Sequence, residues 1–399
     1  MRAFLAAFGD AGHVFPILAL GRALADRGAE VTVETYTRWQ DDVEREGHRF
    51  VAAPEFAPRQ SPDGGSWFLP PFAAAREAVP HTREALREHR PDVVVSDILT
   101  VAPALAAELE GIATATLIPH IDPRPHRDHP PYSLGAMYPR TAAGKAWWAR
   151  FHPLVVRGGE IGRDELNGVR ERVGLPPQQQ IHNGISSRLA IVASFPQLEY
   201  PREQWEPNTH VVGPLMWEPQ TDPAPLPGGD PSWPLVLVAP STAQDPDARL
   251  LQAAAGLAEL PIRLLITTNR RPPKHGLSID VPNVRVVDWL SYAQTMPHAD
   301  VVVCHGGFGT LTRALACGAV PVIWPAWGDM AENAARAAWA GAAVRVPRRF
   351  LTEGTLRLAV QRALDEPELR ARARELAAWN DSHDAPGDAA RLVEDLAAS

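Results

Sequence analysis

The chain has 399 residues, of which 45% are hydrophobic and 22% are charged, and its net charge is −8 at pH 7. This length exceeds one typical domain core, so two domains are expected. The acidic balance argues against a nucleic-acid-binding surface, which would be basic. No apolar run approaches the roughly 20 residues of a membrane span, and Cys304 and Cys317 lack metal-ligand spacing. These totals predict a soluble cytoplasmic protein.

The N-terminal segment predicts a strand, a turn and a helix. An apolar strand, Ala3–Phe8, is followed by the turn Gly9–His13 and by a helix that ends near Gly28. The turn lacks the middle glycine of the dinucleotide-binding fingerprint, which disfavours a nicotinamide dehydrogenase. His13 stands instead at the helix start, where the helix dipole disfavours an imidazolium. The pattern predicts a neutral His13 able to act as a base, with a surface turn residue as the alternative.

A carboxylate is predicted at the same edge of the same sheet. Asp97 directly follows the apolar run Val93–Ser96, and further strands are predicted at Thr114–Ile118 and Leu189–Ala193. Ligand groups collect at the carboxyl ends of parallel strands, so His13 and Asp97 are expected to meet. The alternative makes Asp97 the N-cap of the following helix.

Two stretches of this half, residues 56–72 and 120–151, are rich in aromatic residues and proline. Long loops over a sheet edge commonly shape a binding pocket, and this mixture suits a large, flat, apolar acceptor. Trp147 and Trp148 are instead expected to pack a helix onto the core. The residues predicted to contact the acceptor are Trp67, Phe68, Phe72 and Tyr132.

The second half begins after a segment dense in proline and glycine. Strands are predicted at Leu235–Ala239, Arg263–Thr267 and Val284–Val287, and the C-terminal helix is expected to cross the domain junction. The predicted organisation is an N-terminal domain at 1–213, a linker at 214–232, a C-terminal domain at 233–380 and a helix crossing back toward the N-terminal domain at 381–399.

The stretch around residue 305 predicts an anion site. A buried strand, Val301–Cys304, leads into the glycine turn His305–Thr310 and then into a helix. Such a turn aims backbone N–H groups and a helix N-terminus at a phosphate. A second strand, Val320–Trp324, delivers Asp329 close by, which suits a nucleotide-sugar. The alternative is an ordinary strand–helix–strand unit whose glycines only make a tight turn.

The segment from Trp289 to Asn333 resembles the donor-binding box of inverting nucleotide-sugar glycosyltransferases, the UDP-glycosyltransferase family of plant and bacterial natural-product enzymes. A second match lies at Gly12–Pro16, so the resemblance spans the chain. The matching residues of the box are Trp289, His305–Gly306–Gly307, Gly309–Thr310, Gly318–Ala319–Val320–Pro321, Trp324–Pro325, Asp329 and Asn333.

The resemblance implies a GT-B-like α/β fold, with two doubly wound Rossmann-like domains facing each other across a cleft. It implies that His13 is the general base for the acceptor hydroxyl and that Asp97 orients it, without a metal or a cofactor. The sugar would be displaced in a single inverting step. The donor-binding residues that it implies are Ser241, Thr242, Trp289, His305, Gly307, Gly309, Thr310 and Asp329.

Three departures from the family pattern bear on the donor. Arg313 replaces a glutamate that often holds the ribose, and Met330 replaces the glutamine that usually holds sugar hydroxyls. Tyr292 replaces a glutamine of the plant boxes. The departures favour a macrolide-type bacterial enzyme that uses UDP-glucose or a dTDP-deoxysugar.

Two other functions remain compatible with this pattern. A nucleotide-sugar epimerase of the same architecture needs no acceptor pocket. A non-catalytic glycosyltransferase auxiliary protein has no use for a base, so the presence of both His13 and Asp97 argues against it. The expected partners are a nucleotide-sugar and an apolar small molecule, with the chain acting as a monomer or a homodimer.

Overall fold

The structure is a computed structural model that describes residues 1–55, 69–180, 184–241, 248–270, 279, 281–326 and 328–399. Two parallel sheets organise these residues, and helices cover the faces of both. The first sheet has the strand order β3-β2-β1-β4-β5-β6-β7 and the second has the order β10-β9-β8-β11-β12-β13. The strands are β1 Arg2–Ala6, β2 Glu30–Thr35, β3 Arg49–Ala52, β4 Val93–Asp97, β5 Ala113–Ile118, β6 Ala190–Val192, β7 Thr209–Val211, β8 Leu235–Ala239, β9 Arg263–Thr267, β10 Val284–Val287, β11 Val301–Cys304, β12 Val320–Ile323 and β13 Val344–Arg345.

The helices follow the strands in alternation, as expected for crossover connections between parallel strands. They are α1 Ala11–Asp26, α2 Gln40–Arg45, α3 Leu69–His89, α4 Val101–Glu110, α5 Ala142–Ala149, α6 His152–Val173, α7 Ala248–Ala255, α8 Tyr292–Thr295, α9 Phe308–Ala316, α10 Asp329–Trp339, α11 Glu353–Asp365, α12 Pro367–Asp381 and α13 Ala385–Ala398. The predicted α/β architecture of two Rossmann-like domains is confirmed.

The central strands are buried on both faces, which explains their unbroken apolar sequences. Every residue of β4, β8, β11 and β12 is buried. A parallel sheet covered by helices on both sides selects such runs of β-branched residues, because no face of the strand meets water. The predicted bounds of β8 and β11 agree with the structure, and those of β4 and β12 differ from it by one residue.

Each sheet reverses its strand order at one pair of neighbouring strands. In the first sheet the reversal lies between β1 and β4, and in the second it lies between β8 and β11. Connections on either side of such a point leave in opposite directions and open a crevice at the carboxyl ends of the strands. His13 and Asp97 follow β1 and end β4, while Ser241 and His305 follow β8 and β11. The predicted site residues therefore stand at the two switch points.

Three strands and one helix differ from the sequence-based expectation. The edge strands β3 and β7 were not predicted, because their residues are partly exposed and lack an apolar run. The edge strand β13 was also missed, because it has only two residues. Trp147 does not pack a helix onto the core: α5 has no buried residue, and Trp147 is 55% exposed.

The last helix returns to the first sheet. The buried face of α13, which includes Ala389 and Val393, belongs to the same apolar cluster as Ile17 and Leu20 of α1. In the opposite direction, Phe195 from the N-terminal half is buried in the cluster beneath the second sheet. Apolar packing therefore ties the two halves together. In the part of the chain that the structure describes, no helix has the length and apolar character needed to cross a membrane.

Candidate active site

His13 and Asp97 form a hydrogen-bonded pair at the switch point of the first sheet. The Nδ1 atom of His13 lies 2.6 Å from Oδ1 of Asp97. A carboxylate only accepts hydrogen bonds, so Nδ1 carries the proton and the neutral ring keeps a free lone pair on Nε2. Asp97 is fixed in turn by the backbone N–H of Phe8 at 3.1 Å and by the Thr100 hydroxyl at 2.8 Å. The N-cap of α4 is Thr100 rather than Asp97.

The charge environment of His13 differs from the expectation of a ring kept neutral by the helix dipole. Burial lowers the pKa of His13, but the carboxylate and hydrogen bond of Asp97 outweigh burial and raise this pKa above its usual value. Burial likewise raises the pKa of Asp97, yet His13 and the hydrogen bonds from Phe8 and Thr100 hold it below the usual range. The pair stabilises an imidazolium, which is the state that a base reaches after taking a proton.

Asp329, from the C-terminal half of the chain, interacts electrostatically with this pair. Its carboxylate lies near enough to His13 to contribute to the raised pKa of the imidazole. Asp329 is the first residue of α10 and half-buried, so its side chain stands at the rim of the crevice. Residues from the front and the back of the chain therefore share one electrostatic environment.

The structure adds His120, which the sequence analysis did not single out. Nδ1 of His120 lies 2.7 Å from the Ile121 carbonyl oxygen, and the Tyr132 ring stacks on the imidazole with centroids 6.1 Å apart. Burial lowers the pKa of His120, with further influence from Asp329, His13 and Asp97. Burial and the Asp329 carboxylate also raise the pKa of the Tyr132 phenol. The predicted acceptor residue Tyr132 thus lies beside His120. The position of His120 shortly after the end of β5 is the sequence feature that could have identified it.

The glycine turn after β11 packs closely against α10 and is hydrogen-bonded to it. Gly306 has φ +90°, and a Cβ atom there would lie 2.9 Å from the Met330 backbone oxygen. Gly307 is the N-cap of α9, with its position close to the His305 ring. The Asn333 side chain donates a hydrogen bond to the Gly306 carbonyl at 2.9 Å. The turn and the carboxylate of Asp329 are therefore held in fixed relation.

His305 is buried beneath this turn. Burial lowers its pKa to about 4, and its ring hydrogen-bonds with the Ala239 backbone. Nδ1 of His305 is buried without a hydrogen-bond partner among the described residues. A buried unpaired polar atom is costly unless a ligand or water satisfies it. Gly309 and Thr310 lie in the first turn of α9, exposed and half-buried respectively, so the turn has the geometry of an anion site.

The remaining donor residues are distributed around the second switch point. Ser241 is buried at the end of β8, and Thr242 lies outside the described residues. Trp289 is half-buried, and the Arg270 guanidinium lies over its ring at 4.6 Å from the centroid. One face of this indole is therefore covered by a cation.

Each of the three departures from the family pattern has a structural partner. Arg313 donates to the Trp217 backbone oxygen at 3.2 Å and lies 3.8 Å from the Glu218 carboxylate, so it anchors the linker segment. Tyr292 is hydrogen-bonded to the Asn269 side chain at 3.0 Å. Met330 is buried against Gly306.

The predicted acceptor contacts other than Tyr132 have different outcomes. Phe72 is 3% exposed and lies in the apolar cluster with Phe4 and Val94. Phe72 is therefore a packing residue of the core rather than an exposed acceptor contact. Trp67 and Phe68 lie outside the described residues.

Three side chains after β5 have metal-ligand chemistry. One ligand atom each of His126, Asp128 and His129 lies within 4.8 Å of the others. Both oxygens of Asp128 are engaged, by His126 at 2.6 Å and by the Tyr138 hydroxyl at 2.8 Å. The Lys145 ammonium also lies 3.7 Å from Asp128. This cluster is therefore an internally satisfied hydrogen-bond network with its own cation.

A buried ionic cluster joins α10 to the N-terminal half. Arg336 donates to Glu199 at 3.0 Å and to Glu332 at 2.9 Å, and its guanidinium lies 4.0 Å from the Tyr200 ring centroid. Three acids and three arginines make up this ionic cluster, all with nearly inaccessible side chains: Asp122, Arg124, Glu199, Arg202, Glu332 and Arg336. Because Glu332 and Arg336 share α10 with Asp329, the cluster fixes how Asp329 faces the first sheet.

Family models of known proteins match a segment in each half of the chain. Residues 3–116 match the model of the glycosyltransferase family 28 N-terminal domain. Residues 252–396 match the model of the erythromycin biosynthesis protein CIII-like C-terminal domain. A curated relative, the 4'-demethylrebeccamycin synthase of Lentzea aerocolonigenes, is 29% identical over 96% of this chain and 97% of its own length. Another, the O-mycaminosyltylonolide 6-deoxyallosyltransferase of Streptomyces fradiae, is 26% identical over 94% and 93%.

Solved structures with the same fold cover nearly the whole chain. The kitacinnamycin glycosyltransferase superimposes with a TM-score of 0.78 at 22% identity, over 99% of this chain and 98% of that one. A glycosyltransferase in complex with dTDP has a TM-score of 0.72 at 21% identity, over 100% of both chains. The chain belongs to the UDP-glycosyltransferase family in its bacterial natural-product branch, and it is a glycosyltransferase of the GT-B fold.

Proposed function

We propose that the protein transfers a sugar, with inversion, from UDP-glucose or a dTDP-deoxysugar to a hydroxyl group of an apolar natural product. The observation that carries this proposal is the 2.6 Å hydrogen bond between His13 and Asp97, together with the electrostatic contact between His13 and Asp329 of the other half. These contacts support a base, His13, whose partner Asp97 comes from the same half of the chain and which also interacts electrostatically with a carboxylate of the other half. A relative named as a sugar transferase, the O-mycaminosyltylonolide 6-deoxyallosyltransferase of Streptomyces fradiae, further disfavours the epimerase and auxiliary alternatives.

In the proposed reaction His13 accepts the proton of the acceptor hydroxyl at Nε2 as the oxygen attacks the anomeric carbon. Asp97 holds Nδ1–H and stabilises the imidazolium as it forms, which is the division of labour of a general base and its orienting acid. The bond from the anomeric carbon to the diphosphate breaks in the same step, so no covalent enzyme intermediate is needed.

The leaving diphosphate is assigned to the glycine turn and the N-terminus of α9. Backbone N–H groups around Gly307 and Gly309, the Thr310 hydroxyl and the helix dipole all favour negative charge there. The buried, unpaired Nδ1 of His305 can only accept a hydrogen bond in the neutral ring, and a water that bridges to the bound diphosphate would donate to it. In this proposal Asp329 accepts hydrogen bonds from sugar hydroxyls, Trp289 stacks on the base, and Ser241 and Thr242 contact the phosphates.

The acceptor is assigned to the first-sheet side of the crevice, beside Tyr132. We infer a cytoplasmic site of action, with neither a metal nor a further cofactor in the reaction, and with the chain working as a monomer or a homodimer. The domain limits 1–213, 214–232, 233–380 and 381–399 are part of the same proposal, supported by the two separate sheets.

Donor binding tests the assignment directly. We expect a panel of UDP- and dTDP-sugars to raise the melting temperature for at least one donor, and Thr310→Ala to weaken that donor's affinity about tenfold, the value of one hydrogen bond to a charged group. Thr355→Ala, at the start of α11, is the matched control, because its hydroxyl serves a capping box remote from the glycine turn. Equal calorimetric affinity in wild type and Thr310→Ala would remove Thr310 from the site.

A further inference from the structure

A small cavity with a buried carboxyl lies directly behind the His13–Asp97 pair. Its volume is about 30 Å³, and Phe8, Glu34, Thr82 and Thr100 are among the residues that line it. A cavity of this size holds a water molecule or one similarly small polar group. Phe8 and Thr100 are the residues that donate hydrogen bonds to Asp97, and the Phe8 ring contacts the His13 ring with centroids 5.8 Å apart. One aromatic ring thus separates the cavity from the base.

Glu34 is an unusual residue for this position. It lies in β2, is 1% exposed, and its neighbours across the sheet are Ala6 and Val51. One carboxyl oxygen accepts a hydrogen bond from the Thr82 hydroxyl at 2.8 Å. Among the residues that the structure describes, none with a positive charge pairs with this carboxyl. Burial raises its pKa to about 7, against the small opposing effect of Thr82.

A charge buried without a counter-charge is costly, so it is normally neutralised or paired. The sugar-transfer mechanism has no task for Glu34, because His13 and Asp97 supply the base. Most of the remaining wall is apolar, with five small side chains among its residues, namely Ala7, Ala53, Ala74, Ala78 and Ala102, and with the Tyr36 ring as a further member. The cavity therefore presents a carboxyl without a counter-charge among mostly apolar side chains.

The geometry points to an ammonium-binding subsite at Glu34: the acceptor carries a basic amine that enters this cavity while its hydroxyl group reaches His13. An ammonium group matches the size of the cavity and supplies the missing positive charge. This inference rests on the proposed function, since it assigns the cavity to the acceptor of that reaction.

The first experiment measures amine binding without any sugar transfer. In protein labelled with glutamate carrying ¹³C at the carboxyl carbon, the Glu34 signal is assigned by its loss in Glu34→Gln. We expect benzylamine hydrochloride to lower the titration midpoint of Glu34 by about one unit or more, since an adjacent cation favours the carboxylate. Benzyl alcohol and N-acetylbenzylamine are the neutral controls, and we expect them to leave the titration midpoint of Glu34 unchanged. A midpoint unchanged by benzylamine overturns the inference.

Other ionisable groups near Glu34 need to be distinguished in that titration. Among the described residues these are the Tyr36 phenol in the cavity wall and, behind Phe8 and Thr100, the His13–Asp97 pair. Because the ¹³C signal belongs to Glu34 alone, its midpoint is read separately from theirs. If the amine binds at Glu34, benzylamine still lowers the titration midpoint of Glu34 in the His13→Gln variant. A response lost with His13 overturns the assignment to this cavity.

The second experiment measures acceptor preference. Amine-bearing benzylic alcohols and their N-acetyl counterparts are compared as acceptors at a fixed donor concentration. We expect wild type to favour the amine by about 10- to 100-fold in kcat/KM, the range of a charge-assisted hydrogen bond. Glu34→Gln is expected to lose that preference through KM. A preference that survives Glu34→Gln overturns the inference, whereas failure of transfer to every acceptor contradicts the proposed function instead.

Discussion

The side-chain amide of Asn333 donates a hydrogen bond to the Gly306 carbonyl oxygen at 2.9 Å, joining α10 to the turn after β11. Gly306 also approaches the Met330 backbone so closely that a Cβ atom there would lie 2.9 Å from its oxygen. The predicted phosphate turn and the predicted sugar-binding carboxylate Asp329 are thus parts of one rigid arrangement. This relationship explains why glycine, rather than another small residue, is required at position 306.

Gly306→Ala is expected to lower the free energy of unfolding by about 1–3 kcal/mol, since alanine is strained at φ +90° and its Cβ meets backbone. Donor affinity is expected to fall with it, because the turn must move. Gly309→Ala is the matched control for stability, since a Cβ there has open space within 4 Å. Chemical denaturation checks both variants, and equal losses in the two would contradict the packing argument.

The pH profile of transfer follows from the raised pKa of His13. The base works only when unprotonated, so kcat/KM is expected to fall as the pH drops through a value above 6.5, the usual histidine pKa. Asp97→Asn removes the carboxylate that raises this pKa. The variant is expected to lose about 10²- to 10⁴-fold in kcat and to shift its acid limb to lower pH. An acid limb at the same pH in both enzymes would mean that another group controls the profile.

The buried ionic cluster gives a stability prediction. Arg336→Met leaves Glu199 and Glu332 without their shared partner, and breaking a buried pair in this way costs about 3–5 kcal/mol. Arg362→Met is the control: its pair with Glu366 is exposed and is expected to be worth less than about 1 kcal/mol. Urea unfolding measures both changes. We also expect Arg336→Met to lower kcat/KM, because α10 carries Asp329, and similar stability losses in the two variants would refute the cluster's role.

Sequence patterns predicted the features that depend on local or short-range order. The strands β8, β9, β10 and β11 lie where the apolar, β-branched runs of the sequence place them. The meeting of His13 and Asp97 followed from the rule that parallel strands present their carboxyl ends at one edge. The two residues are 84 positions apart, and no local signal marks the pairing itself.

The features that sequence reasoning missed arise from tertiary contacts. The raised pKa of His13 reflects a carboxylate at 2.6 Å, which outweighs the helix dipole used in the prediction. Glu34 is the penultimate residue of an otherwise ordinary strand, and only the packing of α3 and α4 around it reveals that its carboxyl is buried. Phe72 stands in an aromatic stretch, but its position on α3 turns it into the core.

The central claim is that His13 is the base and that the donor is bound independently by the other half of the chain. His13→Ala tests it most directly, with transfer to an alcohol acceptor and donor affinity measured on the same preparation. We predict that transfer falls by about 10²- to 10⁴-fold while the donor dissociation constant measured by calorimetry stays within about twofold of wild type. Full transfer activity in His13→Ala would contradict the account.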